Sequence, residues 1–462
     1  MGLFCDYFAK MLDNICKKYN LDVKIKKRDV IMLVEFSVAN YKSFKERVTF
    51  SLVGVPNKEH EDHTFAKGKF SLLKTSVIYG ANASGKSNLI KALGFMRSFV
   101  LNSAKRMQSG NKIPVEPFLL DSETKQQPSE FEVVLFSGEI LYRYGFCADQ
   151  NAVKKEWLYS KKDIARAREI CLFFRENDKY KFHPTFKEAD KKVINLLRDN
   201  ALLISLLDQF NGEISTQILK WFSKLHIFVD NEFDPVLTIN LIKQGKVPEE
   251  WVKEFIIKSD LAISNFQIKD RKLDFNRIPP FLKDMIEQIS PDGDVNVYNI
   301  ATEHIYYDPK EEKYKIENFD MAEQESKGTQ KFFSLAGILY LTLTNHDILF
   351  IDEIDASLHS ELTKIIIKLF QSPETNKGNA QFVFTTHDTC HLDRDKFRRD
   401  EIWFTEKDSH YATDLYSLVE YKMPKGSIRK DASYRKDYIK GKYGAIPFVN
   451  FSDFTELFKK VK

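Results

Sequence analysis

Residues Gly80 to Ser87 read GANASGKS, with glycine at the first and sixth positions and lysine and serine closing the run. Each residue type has a task in holding a polyphosphate. Gly80 and Gly85 let the backbone turn so that the N–H groups of Ala81, Asn82, Ala83 and Ser84 point inward. Lys86 reaches the β- and γ-phosphates, Ser87 ligates Mg²⁺, and a helix running on from Asn88 adds its positive end. This is the phosphate-binding P-loop pattern, and it makes ATP or GTP the expected ligand. A second constellation, Ile348 to Asp355 (ILFIDEID), is an apolar run ending in acids, as when a buried parallel strand delivers carboxylates to its C-terminal edge. As a Walker B segment it gives Asp352 a hold on Mg²⁺ through water, and it places Glu353 to orient or deprotonate an attacking water.

Such groups work only if a strand precedes the loop and a helix follows it. Thr75 to Tyr79 (TSVIY) reads as a short buried strand, and Asn88 to Val100 carries apolar residues at helical spacing. Upstream, Leu33 to Ala39 and Val48 to Val53 read as strands. Phe131 to Leu135 and Ile140 to Phe146 form a second β-rich stretch, turning at Ser137 and Gly138. Lys187 to Leu225 and Pro248 to Leu261 switch to helical periodicity, and strand character returns at Ile263 to Asp270 and Val295 to Tyr307. The expected fold class is α/β: a P-loop NTPase with a β-rich N-terminal lobe, a parallel core sheet and a mostly helical insertion. The expected divisions are an appendage at 1–31, the first half of the head with its P-loop at 32–153, the helical insertion at 154–300, and the second half of the head at 301–462. No heptad repeat is sustained, which excludes a long coiled-coil arm.

The chain has 462 residues, 43% hydrophobic and 29% charged, a balance that supports a sizeable core. No apolar run approaches the ~18 residues of a membrane span, and no membrane partner is expected. Five scattered cysteines without a CxxC pair suggest neither a disulfide framework nor a zinc ribbon, and point to a reducing, cytoplasmic location. MGLFCD places Asp6 where a myristoylation start requires Ser or Thr, so a lipid anchor is not expected. The net charge of +4 says little about partners. Two basic stretches, Lys154 to Arg168 and Lys422 to Lys442, keep nucleic acid open as a partner against a solvated surface. The second interleaves Tyr434 and Tyr438 with its cations. His387 to Asp395 (HDTCHLDRD) offers two histidines, a cysteine and three aspartates, a set a transition metal could use.

More than half the chain separates Lys86 from Asp352, which implies a large insertion and sets it apart from ring-forming motor ATPases. Before the Walker B segment stands ESKGTQKF, Glu325 to Phe332, which resembles the signature motif of ABC-type ATPases. Together with NYKSF (Asn40 to Phe44), DASLHS (Asp355 to Ser360) and FTTHD (Phe384 to Asp388), it resembles the SMC, RecF and OLD branch of that superfamily. Compact ATPases of bacterial abortive-infection and antiphage systems are the most similar, and YGAIPF (Tyr443 to Phe448) is similar to their C-terminal ending. The resemblance implies ATP and Mg²⁺ as cofactors and ATP hydrolysis as the activity. It also implies a homodimer or higher oligomer in which each nucleotide lies between the P-loop of one head and the signature of the other. Ser326 and Gly328 then act in trans, Gln330 belongs to the nucleotide-binding set, His387 contacts the γ-phosphate, Asp355 crosses to the other subunit, and Lys42 and Ser43 lie near the nucleotide. The absence of a guanine-reading NKxD leans towards ATP. The stretch after His387 is too short for a Toprim nuclease as well as the rest of the sheet, so the resemblance implies a sensor or scaffold controlling a separately encoded effector, with a Toprim-type nuclease as one candidate. A RecF-like DNA-binding ATPase in repair is the alternative. The Q-loop glutamine is not placed: Gln126 and Gln127 stand in a polar loop before the Phe131 strand.

Overall fold

The computed structural model describes residues 31–164, 167–229, 233–272, 296–421 and 433–446, with Thr455 in addition. The appendage, residues 422–432 of the second basic stretch, and the last two residues of YGAIPF lie outside the described residues. The described residues divide into two compact units, a smaller one within 233–344 together with 356–362, and a larger one within 31–229, 345–355 and from 363 onward.

The larger unit begins with strands β1 (Ile31–Ala39), β2 (Val48–Ser51), β3 (Thr64–Lys67), β4 (Phe70–Leu73) and β5 (Thr75–Gly80), followed by helix α1 (Lys86–Arg106). Then come β6 (Ser129–Ser137), β7 (Ile140–Ala148), β8 (Val153–Lys162), β9 (Ile170–Glu176) and β10 (Lys179–Phe182). Helices α2 (Lys191–Ile194), α3 (Leu203–Gln209) and α4 (Glu213–Ser223) lead into β11 (Leu225–Phe228). Seven of these strands make an antiparallel sheet ordered β10-β9-β8-β7-β6-β1-β2. Apolar residues of α1 recur at Leu89, Leu93, Met96 and Val100, one face of a helix, and all four are buried. Phe95 and Phe99 stack on each other, and the ring centroid of Phe95 lies 5.0 Å from that of Phe131. Full burial of each such side chain contributes about 1.5–3 kcal/mol, so this face fixes α1 firmly.

The segment 154–300, expected to be mostly helical, opens instead with most of β8 and then β9 and β10, which extend the antiparallel sheet. Charge conceals this in the sequence. In KKEWLYSKK the acid Glu156 is fully buried, because its carboxylate accepts the Leu203 N–H at 2.7 Å and the Ile204 N–H at 3.1 Å at the start of α3. Burial pushes its pKa up, opposed by the Arg175 guanidinium. Lys155 points outward and pairs with Glu176 on β9 at 3.1 Å.

The smaller unit holds α5 (Val236–Lys243), α6 (Glu249–Ile257), an antiparallel sheet of β12 (Asn265–Lys272), β13 (Asn296–Asp308) and β14 (Lys313–Asp320), and α7 (Lys327–Asn345) but for its last residue. Helices α6 and α7 pack through Phe255 stacked on Phe332, ring planes nearly parallel and centroids 4.9 Å apart, and Trp251 on Tyr340 at 5.0 Å. At Gly337 the helices α5 and α7 approach so closely that a Cβ would stand 2.8 Å from Thr238 Oγ1.

The larger unit resumes with β15 (Ile348–Ile351), most of α8 (Ser360–Gln371), β16 (Gln381–Thr385), β17 (Ile402–Lys407), β18 (Thr413–Ser417) and α9 (Tyr434–Ile439). Its second sheet is ordered β11-β15-β16-β5-β17-β18, parallel throughout except for β18 at one edge. Every residue of β5, β15 and β16 is buried, as expected of strands covered on both faces. The register sets Ile351 beside Phe384, and Thr385 beside Ile78. The carboxyl ends of three strands far apart in sequence therefore finish together. Among the described residues no helix is long and apolar enough to cross a membrane.

Candidate nucleotide site

Where β5 gives way to α1, the chain adopts a backbone that side chains would obstruct. Gly85 caps the helix at φ +115°, and a Cβ there would lie 2.4 Å from Thr413 Oγ1 and 3.0 Å from Ser43 Oγ. At Gly80 a Cβ would meet Ser84 Oγ and Thr405 Oγ1, each at 2.5 Å. Ala83 also takes a left-handed φ of +61°. Lys86 is buried, and its ammonium donates to the carbonyls of Gly80 at 2.8 Å and Ala81 at 3.1 Å. Burial lowers its pKa to about 8, against the raising influence of Asp352, Glu353 and Asp355. Ser87 and Asn88 lie half-buried in the first turn of α1.

A shell of hydroxyls braces this loop. Ser84 Oγ lies 2.6 Å from Thr405 Oγ1 on β17. Thr413 on β18 sets its Oγ1 2.8 Å from both Ser84 O and Ser43 Oγ, and Asn88 Nδ2 donates to Ser43 Oγ at 2.8 Å. Ser43 thus stands against the loop. The ammonium of Lys42 is engaged by Glu116 at 2.8 Å.

At the end of β15, Asp352 is buried and accepts the Thr385 hydroxyl at 2.6 Å. The same Thr385 Oγ1 accepts the Glu353 N–H at 2.7 Å, and Thr385 O accepts the Ile354 N–H at 3.1 Å. These bonds hold Glu353 at φ +48°, an uncommon conformation for a residue with a side chain. His387 Nε2 lies 3.9 Å from Glu353 Oε1, beyond direct hydrogen-bond range, and the His387 N–H donates to Asp355 Oδ2 at 3.2 Å. Burial and then the Lys86 charge lower the His387 pKa, partly offset by the three acids, so the imidazole is neutral at pH 7. Asp355 Oδ1 is buried without a hydrogen-bond partner. The donor set suits a nucleotide and its cation: a glycine cradle, a buried ammonium, a hydroxyl in the first helical turn, and an orphaned carboxylate oxygen.

The signature segment belongs to the smaller unit. Ser326 Oγ accepts the Thr329 N–H at 3.1 Å at the start of α7, and a Cβ on Gly328 would lie 2.4 Å from Ser357 O. Gln330 turns inward, its amide donating to Ala322 O at 3.1 Å and Glu325 O at 3.0 Å, so it positions the turn. Glu325 is anchored to β13 by His304 Nε2 at 2.7 Å and the Thr302 hydroxyl at 2.5 Å.

Other candidate sites do not assemble. His391 is buried beside Asp388 at 3.5 Å, and among the described residues the run from His387 to Asp395 forms no group able to share a metal ion. Tyr434 and Tyr438 are buried, and Tyr438 stacks on Phe404 at 5.5 Å, which removes them as platforms for bases. Lys154 pairs with Asp149 at 3.0 Å as part of a charged surface. Gln126 and Gln127 are exposed. Sequence reasoning missed Thr385, Thr405 and Thr413. Thr385 lies within a quoted motif, but nothing in its spacing singled it out.

A parallel sheet with the glycine loop after a central strand, the acids at the end of a strand two places away, and a histidine just beyond the strand between them has the fold of a P-loop ATPase. The chain belongs to the family described as "AAA domain, putative AbiEii toxin, Type IV TA system", whose model matches residues 76–392. That membership agrees with the resemblance carried by its motifs. No curated protein matches the chain. Solved structures similar to it include an SMC head bound to the C-terminal winged-helix domain of ScpA, with 13% identity, a TM-score of 0.35, and coverage of 83% of this chain and 97% of that one. The SMC head domain from Thermotoga maritima gives the same identity and score over 83% and 98%. The recombination mediator protein RecF of the RecFOR pathway gives 14% identity and a TM-score of 0.31 over 84% and 99%.

Proposed function

We propose that the chain binds and hydrolyses ATP, and that ATP bridges two or more copies into an assembly controlling a separately encoded effector of an abortive-infection or toxin–antitoxin system. The observation that carries this reading is the convergence of Lys86, Asp352, Glu353, Asp355 and His387 on one strand edge, with Glu353 held at a strained backbone angle by Thr385. The effector half of the reading draws on the family description and on the motifs.

ATP as substrate presents a γ-phosphoryl group to attack by water, and Ser87 and Asp352 would hold Mg²⁺, which would supply neutralisation of the phosphate charge. The N–H groups of Ala81 to Ser87 and the Lys86 ammonium orient the phosphates. Glu353 orients the water and takes its proton. His387, whose Nε2 lies 3.9 Å from Glu353 Oε1, donates a hydrogen bond to the γ-phosphate. Ser326 and Gly328 of a second copy complete the donor set, and Asp355 marks the path between copies. Light scattering on Glu353→Gln with and without MgATP tests the assembly. A larger species with MgATP only is expected, with turnover lost in Glu353→Gln and nucleotide binding lost in Lys86→Ala. Equal ATPase rates in wild type and Glu353→Gln refute the base assignment, and tight ATP binding without a change of mass refutes the bridged assembly.

A further inference from the structure

At the far end of β5 from the glycine loop, a 3₁₀ turn at Glu61–His63 precedes β3. His60, Asp62 and His63 each offer one ligand atom there, all within 4.8 Å of one another, and among the described residues they form the one His, Cys or carboxylate group close enough to share an ion. The two imidazoles lie face to face, centroids 4.6 Å apart.

A second observation comes from the other edge of each ring. His60 Nε2 lies 2.8 Å from the backbone carbonyl of Arg394. A carbonyl only accepts, so Nε2 carries the proton and Nδ1 keeps its lone pair. His63 Nδ1 lies 2.9 Å from Glu401 Oε2, on a carboxylate that is itself fully buried, which places the proton on Nδ1 and leaves Nε2 bare. Glu401 is fixed in turn: it accepts the Arg398 N–H at 2.7 Å and the Thr75 hydroxyl. Both histidines therefore have the arrangement of metal-bound imidazoles, with the outer nitrogen donating to a carbonyl or carboxylate and the inner one free to coordinate. An ordinary buried histidine pair accounts for the His63–Glu401 contact, but not for a second imidazole stacked on it with its own outer partner and a carboxylate between them in sequence.

We propose that His60 Nδ1, His63 Nε2 and a carboxylate oxygen of Asp62 bind a divalent transition-metal ion, Zn²⁺ foremost, with water completing the coordination. Two imidazoles and one carboxylate suit borderline cations, whereas Mg²⁺ and Ca²⁺ favour all-oxygen sites. Zn–N bonds of about 2.0–2.1 Å draw tetrahedral ligand atoms to roughly 3.3 Å apart, so binding pulls half-buried His60 and exposed Asp62 inward and tilts the stacked rings. The site is structural. It ties the turn before β3 through Glu401 to Thr75, where β5 begins, and it takes no part in phosphate chemistry.

The test uses the untagged full chain, treated with EDTA and titrated with Zn²⁺ by calorimetry without nucleotide. Wild type is expected to bind one equivalent, and its melting temperature to rise with Zn²⁺. His60→Ala and Asp62→Ala, both at accessible positions, are expected to bind at least tenfold more weakly and to lose the Zn²⁺-dependent shift. His410→Ala, at an exposed histidine elsewhere, should match wild type. Because each variant's melt without metal reports whether it is folded, loss of the site is separable from misfolding. No stoichiometric binding by wild type, or wild-type affinity in both His60→Ala and Asp62→Ala, overturns the proposal.

Discussion

Replacing Thr385 with valine removes one hydroxyl and little else, yet that hydroxyl serves both acids at the end of β15. It donates to Asp352 Oδ1 at 2.6 Å and accepts the Glu353 N–H at 2.7 Å, and Thr385 is wholly buried. A hydrogen bond to a charged group contributes about 1.5–3 kcal/mol and one between neutral groups about 0.5–1.5 kcal/mol. Thr385→Val should therefore lower the unfolding free energy by about 2–4 kcal/mol, measured by urea denaturation. The effect on turnover has a separate origin. Without its anchor the Glu353 backbone can leave φ +48°, and a displacement of about 1 Å in a reacting group costs up to a hundredfold in rate. Steady-state hydrolysis at saturating MgATP should fall about tenfold to a hundredfold. Thr385→Ser is the control: it keeps the hydroxyl, loses a methyl at a cost of about 1 kcal/mol, and should retain most of the turnover. Equal turnover in the valine and serine variants refutes the claim that this hydroxyl sets the geometry of the acids.

Gly85→Ala places a methyl 2.4 Å from Thr413 Oγ1 at a backbone angle that costs about 1–3 kcal/mol for a side-chain residue. It should melt earlier than wild type and fail to bind a fluorescent ATP analogue; wild-type affinity would show that the loop tolerates a side chain there. Because Lys86 titrates near pH 8 when folded and higher when unfolded, the unfolded chain binds more protons between those values, and stability from this residue rises with pH through that window. Wild type should gain stability relative to Lys86→Met between pH 7 and pH 9.5 in thermal melts, and parallel curves would refute the buried-lysine assignment. In nucleotide titrations the wild-type affinity for ATP in EDTA should weaken above pH 8 as the ammonium is lost. Mixing Ser326→Arg with Lys86→Ala, each inactive alone, should restore part of the ATPase rate, since one interface then joins an intact P-loop to an intact signature. No recovery on mixing would argue against sites completed in trans.

The sequence disclosed those parts of the site whose chemistry is written within a few consecutive residues. Gly80, Gly85, Lys86 and Ser87 form such a word, and so does the apolar run that ends at Asp352 and Glu353. Buried parallel strands such as β5 and β15 were legible for the same reason, because both faces are covered and the run is unbroken. Strands β8 and β9 were hidden because one face is charged and the other includes Glu156, an acid buried only because α3 presents two N–H groups to it. Periodicity read from side-chain type alone assigns such an acid to solvent.

The hydroxyl shell was illegible for a deeper reason. Ser43 and Thr413 are 370 positions apart, and they meet only because the fold lays the loop after β1 against β18, where the Thr413 N–H also donates to Ser43 O at 2.7 Å. A threonine in a strand is among the commonest of residues, so its type carries almost no information until the fold gives it neighbours. Yet Thr385, Thr405 and Thr413 each place a hydroxyl against the loop or the acids that handle phosphate. The charged groups supply the chemistry, and these neutral groups fix where that chemistry is aimed. A change confined to one threonine should therefore act on rate through position while leaving every charged residue of the motifs in place. The valine and serine variants of Thr385 separate that effect from a simple loss of packing.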